Sequence, residues 1–283
     1  MQPLFEYRRE FAGYDTRVLE LEGDGTPLVF FHGFSDSADT WRHTLDLLGR
    51  HDRRAIAVDL PGFATAARLR PGLVLPQLDA FAAGVLATFG EEKPVVVGNS
   101  LGGCVALRLG ERAGDRLSGV VAVAPAGLDM AGWFSLIERD VLLRALLASP
   151  VPVPPRVLRA MVGRIYRFLA FADPTRVEAK VIASFASHHA DRATVARYMD
   201  TGRRMIPELR DPFDLPRIAP PVLLVWGDRD RLVFSSGAQR VIDALPGTRL
   251  ELFEGCGHCP QIEAAGRFAA LLEEFAEAPA AAL

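Results

Sequence analysis

Short apolar runs, rich in Val, Leu and Ile, recur along this 283-residue chain and alternate with segments of helical spacing. Runs of this kind suit strands buried on both faces of a sheet. Because parallel strands need a long crossover, usually a helix, the alternation favours a parallel sheet with helices on both faces. An antiparallel hairpin is predicted ahead of it, over residues 4–11 and 16–22. The runs end at residues 31, 58, 97, 124, 225 and 253.

The composition is that of a globular protein with one large hydrophobic core. Hydrophobic residues make up 49% of the chain and charged residues 24%, close to the average for globular proteins. A chain of this length buries roughly three quarters of its surface, which excludes disorder, collagen, a coiled coil and a disulfide mini-protein. The formal net charge of −3 gives no reason to expect nucleic acid as a partner.

The chain carries no visible signal for export or membrane insertion. Its first ten residues contain no apolar stretch with a cleavage site, and no apolar run is long enough to span a bilayer. Three cysteines are an odd number, so a complete disulfide framework is not expected. These features predict a cytoplasmic protein without a membrane span and with reduced thiols.

The strand–helix alternation is interrupted between residues 130 and 212. This stretch contains no buried-strand run, shows amphipathic helical spacing and is broken by four prolines within residues 150–155. We therefore predict a core domain of residues 1–129 and 213–283, with residues 130–212 inserted as a helical cap, or lid, between two strands.

Residues 98–102, Gly-Asn-Ser-Leu-Gly, match the pattern G-x-S-x-G and stand between a predicted strand and a predicted helix. A nucleophile elbow needs that setting, because its serine sits on a strained turn flanked by small residues. We interpret Ser100 as a nucleophile. A serine hydroxyl is weak at neutral pH and needs a base, together with an acid that orients the base.

Among six histidines, His258 is the best candidate base, because it lies in a glycine-flanked loop after the last predicted strand. In the usual chain order the acid lies between the serine and the histidine. Asp228 and Asp230 follow a predicted strand, at the sheet edge where α/β proteins build their sites. One of the two should orient His258, and Asp129 is an alternative.

Five blocks, in this order, make the chain resemble the α/β-hydrolase superfamily over essentially its whole length. The resemblance implies the α/β-hydrolase fold: a twisted, mostly parallel eight-stranded sheet with helices on both faces and an inserted helical cap. The order of the blocks is specific for the superfamily and says little about substrate. The blocks are His32-Gly33-Phe34, Asp59-Leu60-Pro61-Gly62, Gly98-Asn99-Ser100-Leu101-Gly102-Gly103, Gly227-Asp228-Arg229-Asp230 and Gly257-His258.

The resemblance also assigns roles to individual residues. In such proteins the acid is usually the last residue of G-x-x-D, which carries over to Asp230. The N–H groups of Phe34 and Leu101 would form the oxyanion hole, which is worth about 3–4 kcal/mol per donor. His32 and Asp59 look structural.

The expected activity is that of a serine carboxylesterase or lipase-like hydrolase. A triad of Ser100, His258 and Asp230 would cleave small to medium esters through an acyl-enzyme, with no cofactor and no metal. An apolar acyl pocket is expected where the cap begins. Its expected residues are Phe34, Met130, Trp133 and Phe134.

Three alternatives stay open. Asn99 before the nucleophile is shared with meta-cleavage-product hydrolases, which cut carbon–carbon bonds, although those relatives typically carry tryptophan where this chain has Cys259. Residues 131–212 have a net charge of +5 against −8 for the rest, which would suit a thioesterase or an esterase acting on an acidic carrier protein. A ligand receptor on a hydrolase scaffold is the third.

Cys256 and Cys259 have C-x-x-C spacing around His258. No second cysteine pair is available to complete a structural zinc site, and a metal would occupy the predicted base. We therefore interpret this spacing as incidental to the loop that carries the histidine.

Overall fold

The computed structural model describes residues 3–132, 153–175 and 177–278, and its main sheet has eight strands in the order β1-β2-β4-β3-β5-β6-β8-β10. β1 and β2 form an antiparallel hairpin, β2 pairs antiparallel with β4, and the other pairings in this sheet are parallel. The predicted α/β-hydrolase fold is confirmed. The strands are β1 (Leu4–Phe11), β2 (Tyr14–Leu21), β3 (Asp24–Phe31), β4 (Arg53–Val58), β5 (Val95–Asn99), β6 (Gly119–Val123), β8 (Val222–Gly227) and β10 (Arg249–Phe253).

Helices cover both faces of the sheet, because its central strands β5, β6 and β8 are buried throughout. α2, α3 and α7 pack on one face, and α1 and α9 pack on the other, around Trp41 and Phe268. In the described part of the chain the helices are α1 (Arg42–Leu48), α2 (Leu75–Leu86), α3 (Leu101–Ala113), α4 (Pro155–Ala170), α5 (Ala179–Ser187), α6 (Arg192–Met205), α7 (Ala238–Ala244), α8 (Pro260–Glu263) and α9 (Ala265–Glu277).

Helices α4, α5 and α6 lie between the main-sheet strands β6 and β8, and we call the described residues 153–175 and 177–212 the inserted helical segment. α4 and α5 pack against each other through stacked rings of Tyr166 and Phe185, whose centroids are 3.6 Å apart. None of the described helices is both long enough and apolar enough to cross a bilayer.

Two local features differ from the sequence expectation. The spacing of residues 260–275 predicts one helix, but Ala264, with φ −136° and ψ 46°, divides it into α8 and α9. A small antiparallel sheet pairs β7 (Asp129–Met130) with β9 (Val233–Phe234). Two-residue strands are too short to show the alternation that reveals longer ones.

Candidate active site

Ser100 occupies the sharp turn between β5 and α3, with φ +54° and ψ −113°. A positive φ is costly for a residue with a side chain, and such strain concentrates at functional sites. A Cβ on Gly98 would stand 2.0 Å from the carbonyl oxygen of Gly102, and one on Gly102 would stand 2.0 Å from that of Phe31. The turn therefore requires both glycines of the motif, and it presents the serine at the carboxyl edge of the sheet.

Phe34 and Leu101, the predicted oxyanion residues, both lie beside Ser100. The loop after β3 runs past the serine, since a Cβ on Gly33 would stand 3.4 Å from Ser100 Cβ. Leu101 begins α3, and the N–H groups of a first helical turn lack partners within the helix and favour negative charge. The structure thus brings the two residues to Ser100. The role of their N–H groups stays a prediction.

His258 and Asp230 form a buried pair at the same edge of the sheet. His258 Nδ1 lies 2.7 Å from Asp230 Oδ2, and the two residues are only 5% and 9% exposed. A carboxylate oxygen accepts, so a neutral His258 ring in this arrangement would donate from Nδ1 and leave Nε2 without a proton. Asp230 Oδ1 accepts the N–H groups of Leu232 and Val233 at 2.8 and 3.1 Å, which fixes the carboxylate.

The other two candidate aspartates have different partners. Asp228 is exposed, and its Oδ1 accepts the Gly255 N–H at 2.7 Å, at the start of the histidine loop. Asp129 accepts a hydrogen bond from the Ser236 hydroxyl, next to the small β7–β9 sheet. The structure therefore places Asp230, rather than Asp228 or Asp129, against His258.

Asn99, the last residue of β5, joins that strand to the loop that carries His258. Its Nδ2 donates to the carbonyl oxygen of His258 at 3.0 Å and to that of Val123 at 3.3 Å. The residue is 2% exposed, so these bonds satisfy a buried amide. The side chain next to Ser100 thus holds the backbone of His258.

His32 and Asp59 support the loops around the site. His32 Nε2 accepts the Leu60 N–H at 2.8 Å, its Nδ1 donates to the Gly33 carbonyl oxygen at 2.7 Å, and burial lowers its pKa to about 4. Burial would raise the pKa of Asp59, but a two-pronged ion pair with Arg17 outweighs it and lowers that pKa. Both residues act through backbone and ion-pair contacts within the fold.

The cysteines around His258 are free, buried thiols. Burial raises the pKa of Cys256 to about 11 and the pKa of Cys259 well above its usual range. A protonated thiol is a poor nucleophile and a poor metal ligand. Within residues 3–132, 153–175 and 177–278, no group of three or more His, Cys, Asp or Glu side chains is placed to hold a metal ion.

A narrow cavity of about 40 Å³ opens next to Ser100, and no charged side chain lines it. Sequence reasoning placed Phe34 and Met130 there, while Trp133 and Phe134 lie outside the described residues. It missed the contribution of α6 and the turn after it, for which the only signal was the apolar spacing of residues 205, 206 and 209. The lining residues are Phe34, Ser100, Leu101, Ala126, Met130, Gly202, Met205, Ile206, Leu209 and Val233.

The fold and the sequence together assign the chain to a protein family. A model of the alpha/beta hydrolase family matches residues 28–271, and the chain belongs to that family. The family is one of hydrolase enzymes, so the resemblance drawn from the five sequence blocks is confirmed.

Two relatives are named for different activities. The chain is 28% identical over 278 residues to a dihydrolipoyllysine-residue acetyltransferase component of an acetoin cleaving system from Cupriavidus necator, covering 94% of this chain and 68% of that protein. It is 27% identical over 281 residues to a pimeloyl-[acyl-carrier protein] methyl ester esterase from Vibrio atlanticus, covering 93% and 99%.

Solved structures share the fold. A 2-hydroxy-6-oxo-6-phenylhexa-2,4-dienoate hydrolase from Rhodococcus superimposes with a TM-score of 0.78 at 24% identity, covering 98% of this chain and all of that one. Similarity at this level of identity establishes architecture rather than substrate.

Proposed function

We propose that this protein is a serine hydrolase that cleaves short-chain carboxylic esters through an acyl-enzyme intermediate. One arrangement carries the proposal: the elbow serine, Ser100, lies at the same sheet edge as the buried His258–Asp230 pair and opens onto an uncharged cavity. A nucleophile, an oriented base and an apolar pocket are the parts that acyl transfer requires.

In the first half-reaction, Ser100 Oγ attacks the ester carbonyl carbon while His258 Nε2 takes the hydroxyl proton. The carbonyl oxygen becomes an oxyanion, which the N–H groups of Phe34 and Leu101 stabilise. Asp230 stabilises the imidazolium and keeps its proton on Nδ1. His258 then gives the Nε2 proton to the departing alkoxide, and the acyl group stays on Ser100.

In the second half-reaction, water attacks the acyl-enzyme. His258 Nε2 takes a proton from the water, the tetrahedral oxyanion forms again, and the Ser100 oxygen leaves with the proton that His258 returns. The carboxylic acid is released and the enzyme regains its starting state. None of these steps calls for a cofactor.

The size of the cavity favours short acyl chains. One water-sized group needs about 10–15 Å³ of such volume, so 40 Å³ holds about three. Met205, Ile206 and Leu209 form the wall contributed by the inserted helical segment, which accords with residues 130–212 acting as a cap over the site. Such a cap would exclude water and shape the acyl pocket.

A carrier-linked ester is the second candidate, because the inserted helical segment offers a basic groove. α4 contains four arginines and no acidic residue. Three of them, Arg159, Arg164 and Arg167, line an open groove of about 580 Å³ between α4 and α5. An acidic carrier protein would be attracted to it, and one relative is named for an acyl-carrier-protein ester.

Initial rates on four substrate types would test the proposal. These are p-nitrophenyl esters from two to ten carbons, acyl-coenzyme A thioesters, a methyl ester on an acyl carrier protein, and a 2-hydroxy-6-oxo-dienoate. We expect kcat/KM to be highest for esters of two to four carbons and at least 10-fold lower at eight. A dienoate rate far above every ester would favour carbon–carbon cleavage.

The carrier substrate has its own discriminating variant. Replacing Arg164 and Arg167 together by glutamate should lower kcat/KM for the carrier-bound ester and leave that for p-nitrophenyl acetate unchanged, if a carrier docks on the α4–α5 groove. Equal losses on both substrates would exclude this docking mode.

A further inference from the structure

The loop that carries His258 is fastened to the C-terminal end of α4. The His258 N–H donates to the Ala170 carbonyl oxygen at 2.8 Å. A Cβ on Gly257 would stand 2.7 Å from the same oxygen and 2.7 Å from the Ala172 nitrogen, so only glycine lets the two backbones pass this closely. The peptide preceding the proposed base therefore lies directly on the inserted helical segment.

Glu263, the last residue of α8, spans this junction with its carboxylate. Oε1 accepts the Gly257 N–H at 2.6 Å, and Oε2 accepts the Ala172 N–H at 2.9 Å. Burial raises the pKa of this carboxyl, and hydrogen bonds from the backbone N–H groups of Gly257, Ala172 and Asp173 oppose the rise. The Glu263 side chain thus links the loop that carries His258 to Ala172, two residues after the end of α4.

The loop of the proposed acid is tied to the same helix end. Arg231, next to Asp230, donates from Nη1 to the Phe168 carbonyl oxygen at 2.8 Å, and its guanidinium lies 5.2 Å from the centre of the Phe168 ring. The neighbours of both His258 and Asp230 therefore contact residues 168–172. The C-terminal end of α4 is a common support for the acid and the base.

We propose that Glu263 is a positioning residue that fixes the catalytic histidine by clasping its loop to the end of α4. The proposal rests on the proposed function, because it takes His258 as the base. Glu263 contacts no reacting atom. It holds the Gly257 peptide, and through it the direction in which the His258 ring leaves the backbone.

The expected effect follows from how sharply acid–base chemistry depends on alignment. A displacement of about 1 Å at a reacting group costs on the order of 100-fold in rate. Substrate binding depends on the cavity beside Ser100, which Glu263 does not line. Loss of the clasp should therefore lower kcat and leave KM nearly unchanged.

The test compares Glu263→Gln, Glu263→Ala and Glu263→Asp with the wild type on p-nitrophenyl acetate. Glutamine keeps one acceptor and sets its NH₂ group against an N–H donor, so we expect kcat to fall about 10- to 100-fold with KM within 3-fold. Alanine should lose at least as much, and aspartate should retain more activity than alanine. Amide exchange at Gly257 and Ala172 should accelerate at least 10-fold in the glutamine variant.

Glu111→Gln is a matched control. Glu111 is, like Glu263, half-buried with a raised pKa, and its Oε1 accepts a backbone N–H, that of Asp214, at 2.9 Å. It lies near the end of α3 opposite to Ser100 and ties that helix to the loop at Asp214. We expect a similar loss of thermal stability and no loss of kcat.

The outcomes separate the clasp from the proposed function. Lower stability with unchanged kcat in Glu263→Gln would overturn the positioning role, as would equal kcat losses in Glu263→Gln and Glu111→Gln. If the wild type hydrolyses no ester, the proposed function fails, and the amide-exchange comparison still decides whether Glu263 holds the two loops together. Unchanged exchange at Gly257 and Ala172 would overturn the clasp.

Discussion

The edge of the sheet and the inserted helical segment contribute to the same site, but they constrain their residues differently. At the sheet edge, backbone contacts fix Ser100, Asp230 and His258. Met205 and Ile206 of the inserted helical segment instead line the cavity through apolar packing. Packing is non-directional and tolerates changes of shape better than a hydrogen-bonded turn does. Substitutions at the edge should therefore abolish chemistry, whereas substitutions in the segment should change which substrate is accepted.

The largest expected effect falls on the sheet edge. Ser100→Ala and His258→Ala should each lower kcat by about 10⁶-fold, and the double variant should lose little more, because the two groups act as one proton-transfer unit. Steady-state rates of the three variants on p-nitrophenyl acetate would measure this. Additive losses would show that the two residues act independently and would contradict their assignment to one proton-transfer unit.

The two aspartates of the acid loop come next. Asp230→Asn should cost about 10⁴-fold in kcat, because the histidine loses the partner that fixes its tautomer. Asp228→Asn should cost less than about 10-fold, since Asp228 only accepts the Gly255 N–H. The two variants carry the same Asp→Asn change two positions apart on one loop, so their rates can be compared directly. A reversed ranking would transfer the role of acid to Asp228.

The inserted helical segment should control acyl length. Ile206→Ala removes part of the cavity wall, so kcat/KM for octanoate relative to acetate should rise about 10-fold, in line with 1–3 kcal/mol per methylene in a closed pocket. Leu252→Ala, an exposed leucine on β10, is the control and should leave the ratio unchanged. An unchanged ratio in Ile206→Ala would place the acyl chain elsewhere.

A smaller effect concerns stability where the two regions meet. Asp36, after the predicted oxyanion loop, is 6% exposed; burial raises its pKa from 3.8 to about 7, opposed mainly by the Ser37 N–H bonded to Oδ1 at 2.9 Å. Thr40, Asp39 and, from the end of α5, His188 face this carboxyl.

The sign of the effect follows from that rise. The folded state resists ionising Asp36, so this residue costs stability increasingly above pH 4, and the full cost is reached above pH 7. Asp36→Asn should stabilise the protein by on the order of 2–4 kcal/mol at pH 8 and by almost nothing at pH 4. Thermal unfolding at both pH values would measure this. An equal shift in Tm at the two values would contradict it.

How far the sequence could predict this site depends on which interaction places a residue. The nucleophile elbow was predictable because its turn requires glycine at positions 98 and 102, and this requirement appears directly in the amino-acid sequence. The choice of Asp230 over Asp228 came from a family pattern, because both aspartates follow the same strand and spacing alone does not distinguish them.

The contributions of Met205, Ile206 and Glu263 could not be predicted. Their placement depends on how the inserted helical segment and α8 pack over the sheet edge, and packing of apolar residues leaves no specific motif. Glu263 lies five residues after His258 in a predicted helix, and a glutamate in a helix is usually exposed to solvent. The break at Ala264 and the close approach of Gly257 to Ala170 become visible only in three dimensions.

Labelling with a fluorophosphonate probe, followed by mapping of the modified peptide, tests whether Ser100 is an activated nucleophile. The probe reacts with a serine hydroxyl that a neighbouring base has activated. We expect one stoichiometric adduct on Ser100, slowed strongly in His258→Ala and absent in Ser100→Ala. No adduct in the wild type, as expected for a ligand receptor on a hydrolase scaffold, or an adduct on another residue, would contradict it.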